Sequence, residues 1–207
     1  MIKNYSSLQT SGARLVMCAG LCGTLVALSP LTALAQRGAT GPAAHADVEP
    51  INNLPNPYET QRDWGTLPDG RSWGSVSAVN VDVDGVHIWA GDRCGANSCA
   101  ESDVDPIVKL DPNGTVVKAI GAGIFMWPHG MDVDSDGNVW VADAATVTAV
   151  GPSPTPSGRG HTVVKLSPDG EVLLTIGTSG VAGSPPTHLT QPNDVLVAPD
   201  GSIFVAE

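Results

Sequence analysis

The side chains able to do chemistry are few and scattered. There are five histidines, at positions 45, 87, 129, 161 and 188. No two of them stand at the spacing of a metal-ligand pair. His45, His87, His161 and His188 read as surface residues. His129 sits in Trp127-Pro128-His129-Gly130, where it can ligate a metal or simply pack and cap the strand that starts there. Asp132, Asp134, Asp136, Gly137 and Asp143 nearly match a calcium-binding EF-hand loop. Such a loop needs a helix on either side. Here Gly121, Gly123 and Pro128 precede it, and a β-branched and then Pro-rich stretch follows. A hairpin turn is therefore expected. Cys94 and Cys99 lie five apart in a Gly/Asn/Ser loop, which suits a small-loop disulfide in an oxidising compartment. A zinc pair is the other reading, but no second Cys or His pair stands near. No nucleophile elbow, phosphate loop or dinucleotide fingerprint is present; Gly121-Ala122-Gly123 lacks the helix that must follow it.

The N-terminus speaks to the compartment. Lys3 and Arg14 give a basic start, and no acid precedes Asp47. Leu15 to Leu28 is apolar or small, and Ala33-Leu34-Ala35 fits the small-x-small cleavage rule. Residues 1–35 are thus expected to be a signal peptide, and the protein to be secreted or periplasmic. A membrane anchor is the rival. The apolar run, broken by Gly20 and Gly23 and ended by Ser29-Pro30, is short for a span of ~20 residues. Without residues 1–35, 8 Lys+Arg face 21 Asp+Glu, a net charge of −13. That argues against nucleic acid or an anionic membrane as partner. Residues 36–75 carry five prolines without a period. They are expected to form an extended leader that reaches the domain, with Trp64 or Trp73 as anchors.

What could position these residues is a repeat. Val79–Asp92, Met131–Asp143 and Val195–Glu207 each read as apolar strand, Asp-Gly turn, apolar strand and acidic end. Between them, Val108–Val117 and Val164–Leu173 repeat a second hairpin, Val-Lys-Leu followed by a Pro-Asx-Gly turn. Asx-Gly suits tight turns because glycine takes positive φ freely. The valines and isoleucines suit a pleated, half-buried surface. Two hairpins make a four-stranded sheet, and sheets repeated at this interval predict the blades of an all-β propeller. A sandwich is the plainer alternative. Residues 76–207 hold two full blades and the first hairpin of a third, fewer than the ~4–8 that close a ring. The chain is therefore expected to be incomplete at its C-terminus or to close its ring with another chain.

The stretch Met126-Trp127-Pro128-His129-Gly130-Met131-Asp132-Val133-Asp134-Ser135-Asp136-Gly137-Asn138-Val139-Trp140-Val141-Ala142-Asp143 resembles an NHL repeat. With the Arg93 loop before it and Gln191-Pro192-Asn193-Asp194-Val195 after it, it resembles the propeller of the peptidyl-α-hydroxyglycine α-amidating lyases. That resemblance implies a six-bladed NHL propeller that cleaves an α-hydroxyglycine peptide to a peptide amide and glyoxylate. It implies zinc held by three channel histidines, with His129 the first of them. It also implies a structural calcium near the carbonyl of Met131, and Arg93 as the arginine that steadies the anionic substrate. The family's other two histidines and its catalytic tyrosine belong to later blades, so these 207 residues alone are expected to be inactive. The expected partner is a peptide or other small substrate in the channel. The rival reading is a non-catalytic secreted NHL propeller that binds a peptide, glycan or protein. Asn193 stands where His129 does one blade earlier, so a polar residue is accepted there without a metal.

Overall fold

The computed structural model describes residues 2–5, 53–145, 155, 157–184 and 186–207. Most of the proposed signal segment and the first part of the proposed leader lie outside these residues. Two compact units are distinguished. One holds Gln61–Glu207 together with Ile2–Tyr5, and the other is Gln9–Thr60. Of the second, residues 53–60 are described; they form no helix or strand and are exposed.

The main unit is all-β. Strands β2 (Val76–Val81), β3 (Ile88–Asp92), β4 (Ile107–Leu110) and β5 (Val116–Ile120) form one four-stranded antiparallel sheet in chain order. Strands β6 (Trp127–Val133), β7 (Val139–Ala144), β8 (Thr162–Leu166) and β9 (Val172–Gly177) form a second one. Strands β10 (Asp194–Val197) and β11 (Ile203–Ala206) begin a third. The far edge of β11 pairs with β1 (Ile2–Tyr5), so removal of residues 1–35 would free that edge. These sheets are propeller blades, two complete and one represented by its first hairpin, as the repeat predicts. Among the described residues no helix is long and apolar enough to cross a membrane.

The expected turns form at every repeat. In four of them the same two bonds recur: Asp111 N to Thr115 O with Gly114 N to Asp111 O, Asp134 N to Asn138 O with Gly137 N to Asp134 O, Ser167 N to Glu171 O with Gly170 N to Ser167 O, and Ala198 N to Ser202 O with Gly201 N to Ala198 O. Gly137 and Gly170 sit at φ 82° and 92°, conformations a Cβ would disfavour. The near-match to a calcium loop is accordingly a hairpin turn between β6 and β7.

Alternation along β7 explains the packing. Val139 and Val141 point into a core shared with the first sheet, which holds Trp89, Ile107, Phe125 and Met131. Trp140 and Ala142 point into a core shared with the third, which holds Val163, Leu189, Val195 and Val205. A strand buried on both faces must read as a continuous apolar run, and all six residues of β7 are buried. Trp64, Leu67 and Trp73 pack on the other face of the first sheet beside Ala90, Val108 and Leu110. Trp73 Nε1 donates to Gly65 O at 2.8 Å.

One device recurs in the first two blades. Asp82 accepts Trp89 Nε1 at 2.7 Å and Lys109 Nζ at 2.8 Å. Asp134 accepts Trp140 Nε1 at 2.9 Å and Lys165 Nζ at 2.9 Å. In the third blade Phe204 replaces the tryptophan and Ala198 replaces the aspartate, so the donor and its acceptor are lost together. Burial disfavours the charge of Asp134, but hydrogen bonds from Trp140, Lys165 and Asn138 outweigh it and bring its pKa down to about 2.

Candidate functional site at the blade openings

The first strands β2, β6 and β10 of successive sheets lie next to one another. Their opening residues line a shared cavity of about 430 Å³, bounded by Ser77, His129, Gly130, Met131, Asn193 and Asp194. The openings are stitched in sequence. Ser77 Oγ donates to Pro128 O at 2.8 Å, and His129 Nδ1 lies 2.9 Å from Asn193 O. A carbonyl only accepts, so Nδ1 carries a proton, and in the neutral ring Nε2 keeps its lone pair. This is the arrangement of a metal-binding histidine, whose non-ligating nitrogen donates to a carbonyl or carboxylate.

The second and third blades come close together at Gly130. A Cβ built there falls 2.6 Å from both Asn193 O and Asp194 Cα, closer than side chains tolerate. The glycine of Pro-His-Gly therefore lets the third blade's opening reach His129. Met131 O accepts Asn80 Nδ2 at 3.2 Å. Asp132 spans three blades, accepting Asn80 Nδ2 at 3.2 Å and Val197 N at 2.7 Å.

The openings are held from behind by the acid that ends each second strand. Asp92 and Asp143 are fully buried. Asp92 accepts the N–H groups of Gly74 at 2.6 Å and Gly95 at 2.7 Å. Asp143 accepts those of Met126 at 3.0 Å and Trp127 at 2.7 Å. Glu207 Oε2 accepts Thr190 N at 3.1 Å. Burial pushes the Asp143 carboxyl up to about 7, against the pull of Met126, Trp127 and Gly160 N–H groups and of the Arg159 charge.

Arg93 is 7% exposed. Its Nε donates to Pro128 O at 3.0 Å and its Nη1 to Asn97 Oδ1 at 2.7 Å. Its Cζ stands 4.0 Å from the centre of the Trp127 ring. Trp127 in turn meets the edge of His129 at 5.3 Å. No ion-pair partner of Arg93 occurs among the described residues, and burial lowers its pKa from the ordinary value. Cys94 and Cys99 are joined by a disulfide. The loop it closes carries Asn97. It also binds Met126 O through Cys99 N at 2.8 Å and Ser98 Oγ at 3.2 Å.

Arg93 and His129 thus come together, with Trp127 between them. The sequence assigned no role to Trp127 or Asn97, and Asp143 figured in it only in the near-match to a calcium loop and as a recurrent acidic strand end. His161, read as a surface residue, is instead fully buried. Its Nδ1 accepts Gln191 N at 3.1 Å, so it braces the third blade's opening. Among the described residues no three His, Cys, Asp or Glu side chains gather as a metal centre.

Comparison with known proteins gives this geometry a context. The NHL repeat family matches residues 125–146. The chain is 32% identical over 152 residues to the peptidylglycine α-amidating monooxygenase of Rattus norvegicus, covering 65% of this chain and 14% of that protein. It is 32% identical over 166 residues to a probable peptidyl-α-hydroxyglycine α-amidating lyase of Caenorhabditis elegans, covering 72% and 43%. It is 28% identical over 174 residues to peptidyl-α-hydroxyglycine α-amidating lyase 2 of Drosophila melanogaster, covering 76% and 39%. The chain spans less than half the length of each of these relatives. It carries an NHL repeat within an all-β blade array and resembles the peptidyl-α-hydroxyglycine α-amidating lyases in sequence.

Proposed function

We propose that this chain supplies the first blades of an exported peptidyl-α-hydroxyglycine α-amidating lyase, a carbon–nitrogen lyase that releases a peptide amide and glyoxylate. The observation that carries the reading is His129. It stands at a blade opening, on the shared cavity, with Nδ1 engaged by Asn193 O and Nε2 left to bind. That donor fits zinc as one ligand. One imidazole is not a zinc site, so the remaining ligands would come from further blades, and these 207 residues alone would be inactive. When bound, zinc supplies a Lewis acid that polarises the substrate hydroxyl.

The chain's own residues do the positioning. His129 is held in one tautomer and one orientation by the neighbouring blade. Arg93 presents a guanidinium with donors left over, whose rigid fork matches a carboxylate bidentately. Because it is mostly buried and has no ion-pair partner among the described residues, an anionic substrate end would meet it in a poorly screened setting. The Met131 carbonyl, which already accepts one amide hydrogen bond from Asn80, has a second lone pair. It fits a calcium ion as one of several oxygen ligands.

The test uses the complete protein, assayed for zinc content and for glyoxylate release from an α-hydroxyglycine peptide. Zinc near stoichiometry and release well above the spontaneous rate are expected, both lost in His129→Ala. Zinc-free protein with no release would make it a binding propeller instead.

A further inference from the structure

We propose that Trp127 is a positioning residue. Its indole fixes the plane of the Arg93 guanidinium, and with it the direction in which that group offers its free N–H donors. The inference rests on the reading of Arg93 as the anion-holding group.

Three contacts converge on Arg93. Pro128 O takes Nε, Asn97 Oδ1 takes Nη1, and the Trp127 ring covers one face at 4.0 Å. Hydrogen bonds from Nε and Nη1 to two separate acceptors still let the plane tilt; a ring 4.0 Å from Cζ restricts that tilt. The roots of both side chains are fixed as well. Trp127 N donates to the buried Asp143, and Arg93 N donates to Ser75 O. No carboxylate competes for the guanidinium among the described residues. What remains is a cation held in place with part of its donor set unspent.

The choice of tryptophan supports this. Trp127 Nε1 is buried and has no hydrogen-bond partner among the described residues. An unmatched buried donor costs stability, and phenylalanine would fill much of the same space without it. A pure packing role would therefore favour phenylalanine. The indole face, however, is the strongest of the aromatic surfaces toward a cation. The residue kept here is the one that holds Arg93 best, despite an unpaired N–H.

The experiment measures the reactivity of Arg93 toward phenylglyoxal in the full chain, site by site by peptide mass spectrometry. The exposed Arg62 and the partly buried Arg159 serve as internal references. In Trp127→Leu, Arg93 labelling is expected to accelerate roughly five- to thirtyfold, the range that a partly desolvated cation–π contact allows. Trp127→Phe should fall between Trp127→Leu and wild type, and Arg62 and Arg159 should not change. In the complete enzyme, KM for an anionic α-hydroxyglycine substrate should rise in Trp127→Leu with a much smaller change in kcat, the mark of lost uniform binding. Unchanged Arg93 labelling in a folded Trp127→Leu overturns the proposal. So does acceleration shared equally by Arg159, which would mean general loosening. Should Trp127→Leu fail to fold, Trp127→Phe decides by the same criterion. A complete protein that releases no glyoxylate would defeat the lyase reading, while the labelling result would still judge the role of Trp127.

Discussion

Replacing Gly130 with alanine should do more damage than its size suggests. The new methyl would sit 2.6 Å from Asn193 O and 2.6 Å from Asp194 Cα, and closer still to Asp194 Oδ1. Two of these three atoms are backbone and cannot swing away. Ordinary contact requires ~3.5 Å, so the third blade's opening must retreat by about 0.9 Å. That movement stretches the 2.9 Å contact between His129 Nδ1 and Asn193 O toward about 3.8 Å, outside hydrogen-bonding range. Overpacking costs ~1–3 kcal/mol, and the lost hydrogen bond adds about 1 kcal/mol. For a unit of this size each kcal/mol lowers Tm by roughly 2–4 °C, so a drop of roughly 5–15 °C is expected. Gly91→Ala is the control, because its Cβ would meet Ile107 Cδ1 at 3.7 Å and Ala78 Cβ at 3.8 Å, ordinary contacts. Thermal unfolding followed by circular dichroism reads both variants, and nitrogen NMR of the imidazole reads the freed tautomer. Gly130→Ala melting with the wild type, with His129 still locked as the Nδ1–H form, would show that the blades do not meet here.

Other outcomes follow from the buried acids. Asp134→Ala strands the donors of Trp140, Asn138 and Lys165 and should cost about 3–5 kcal/mol. Adding Trp140→Phe, which copies the Ala198/Phe204 pair of the third blade, should recover a clear part of that loss. A denaturant double-mutant cycle with no coupling would contradict the Asp–Trp pairing. Asp134, held at about 2, adds stability that is present above pH ~4 and lost as pH falls toward 2. Asp143 has the opposite sign. Its pKa is raised to about 7, so the folded state binds the proton more tightly than the unfolded one, and its contribution is present below pH ~4 and lost as pH rises through 7. Asp143→Asn cannot titrate and should show a flatter stability profile from pH 4 to 7 in urea unfolding; an unaltered profile would remove Asp143 as the source.

The hairpins were legible because each is local. An Asx-Gly turn between β-branched runs specifies its own geometry, and its recurrence specifies the blade. The packing of β7 on two cores was implicit in the unbroken apolar run from Val139 to Ala142. The site was less legible because its contacts join residues far apart in the chain. Arg93 meets Pro128 and Trp127 only once two blades stack. Asp143 reveals its purpose only when its carboxylate is seen on the N–H groups of Met126 and Trp127. The Asp–Trp–Lys device left a trace, since Trp89 and Trp140 accompany Asp82 and Asp134 while Phe204 accompanies Ala198; three copies of the repeat are enough to see it in retrospect. His161 misled because a histidine without ligand spacing looks like surface, whereas its ring is used to hold a backbone N–H.

The central claim is that the opening of the second blade presents His129 Nε2 as a metal ligand. Anomalous scattering at the zinc edge, recorded from crystals of the complete protein, addresses it directly. A peak at ~2.0–2.1 Å from Nε2, with Nδ1 still on Asn193 O, is predicted. Zinc bound elsewhere with His129 turned away from it, or coordination through Nδ1, would contradict the account.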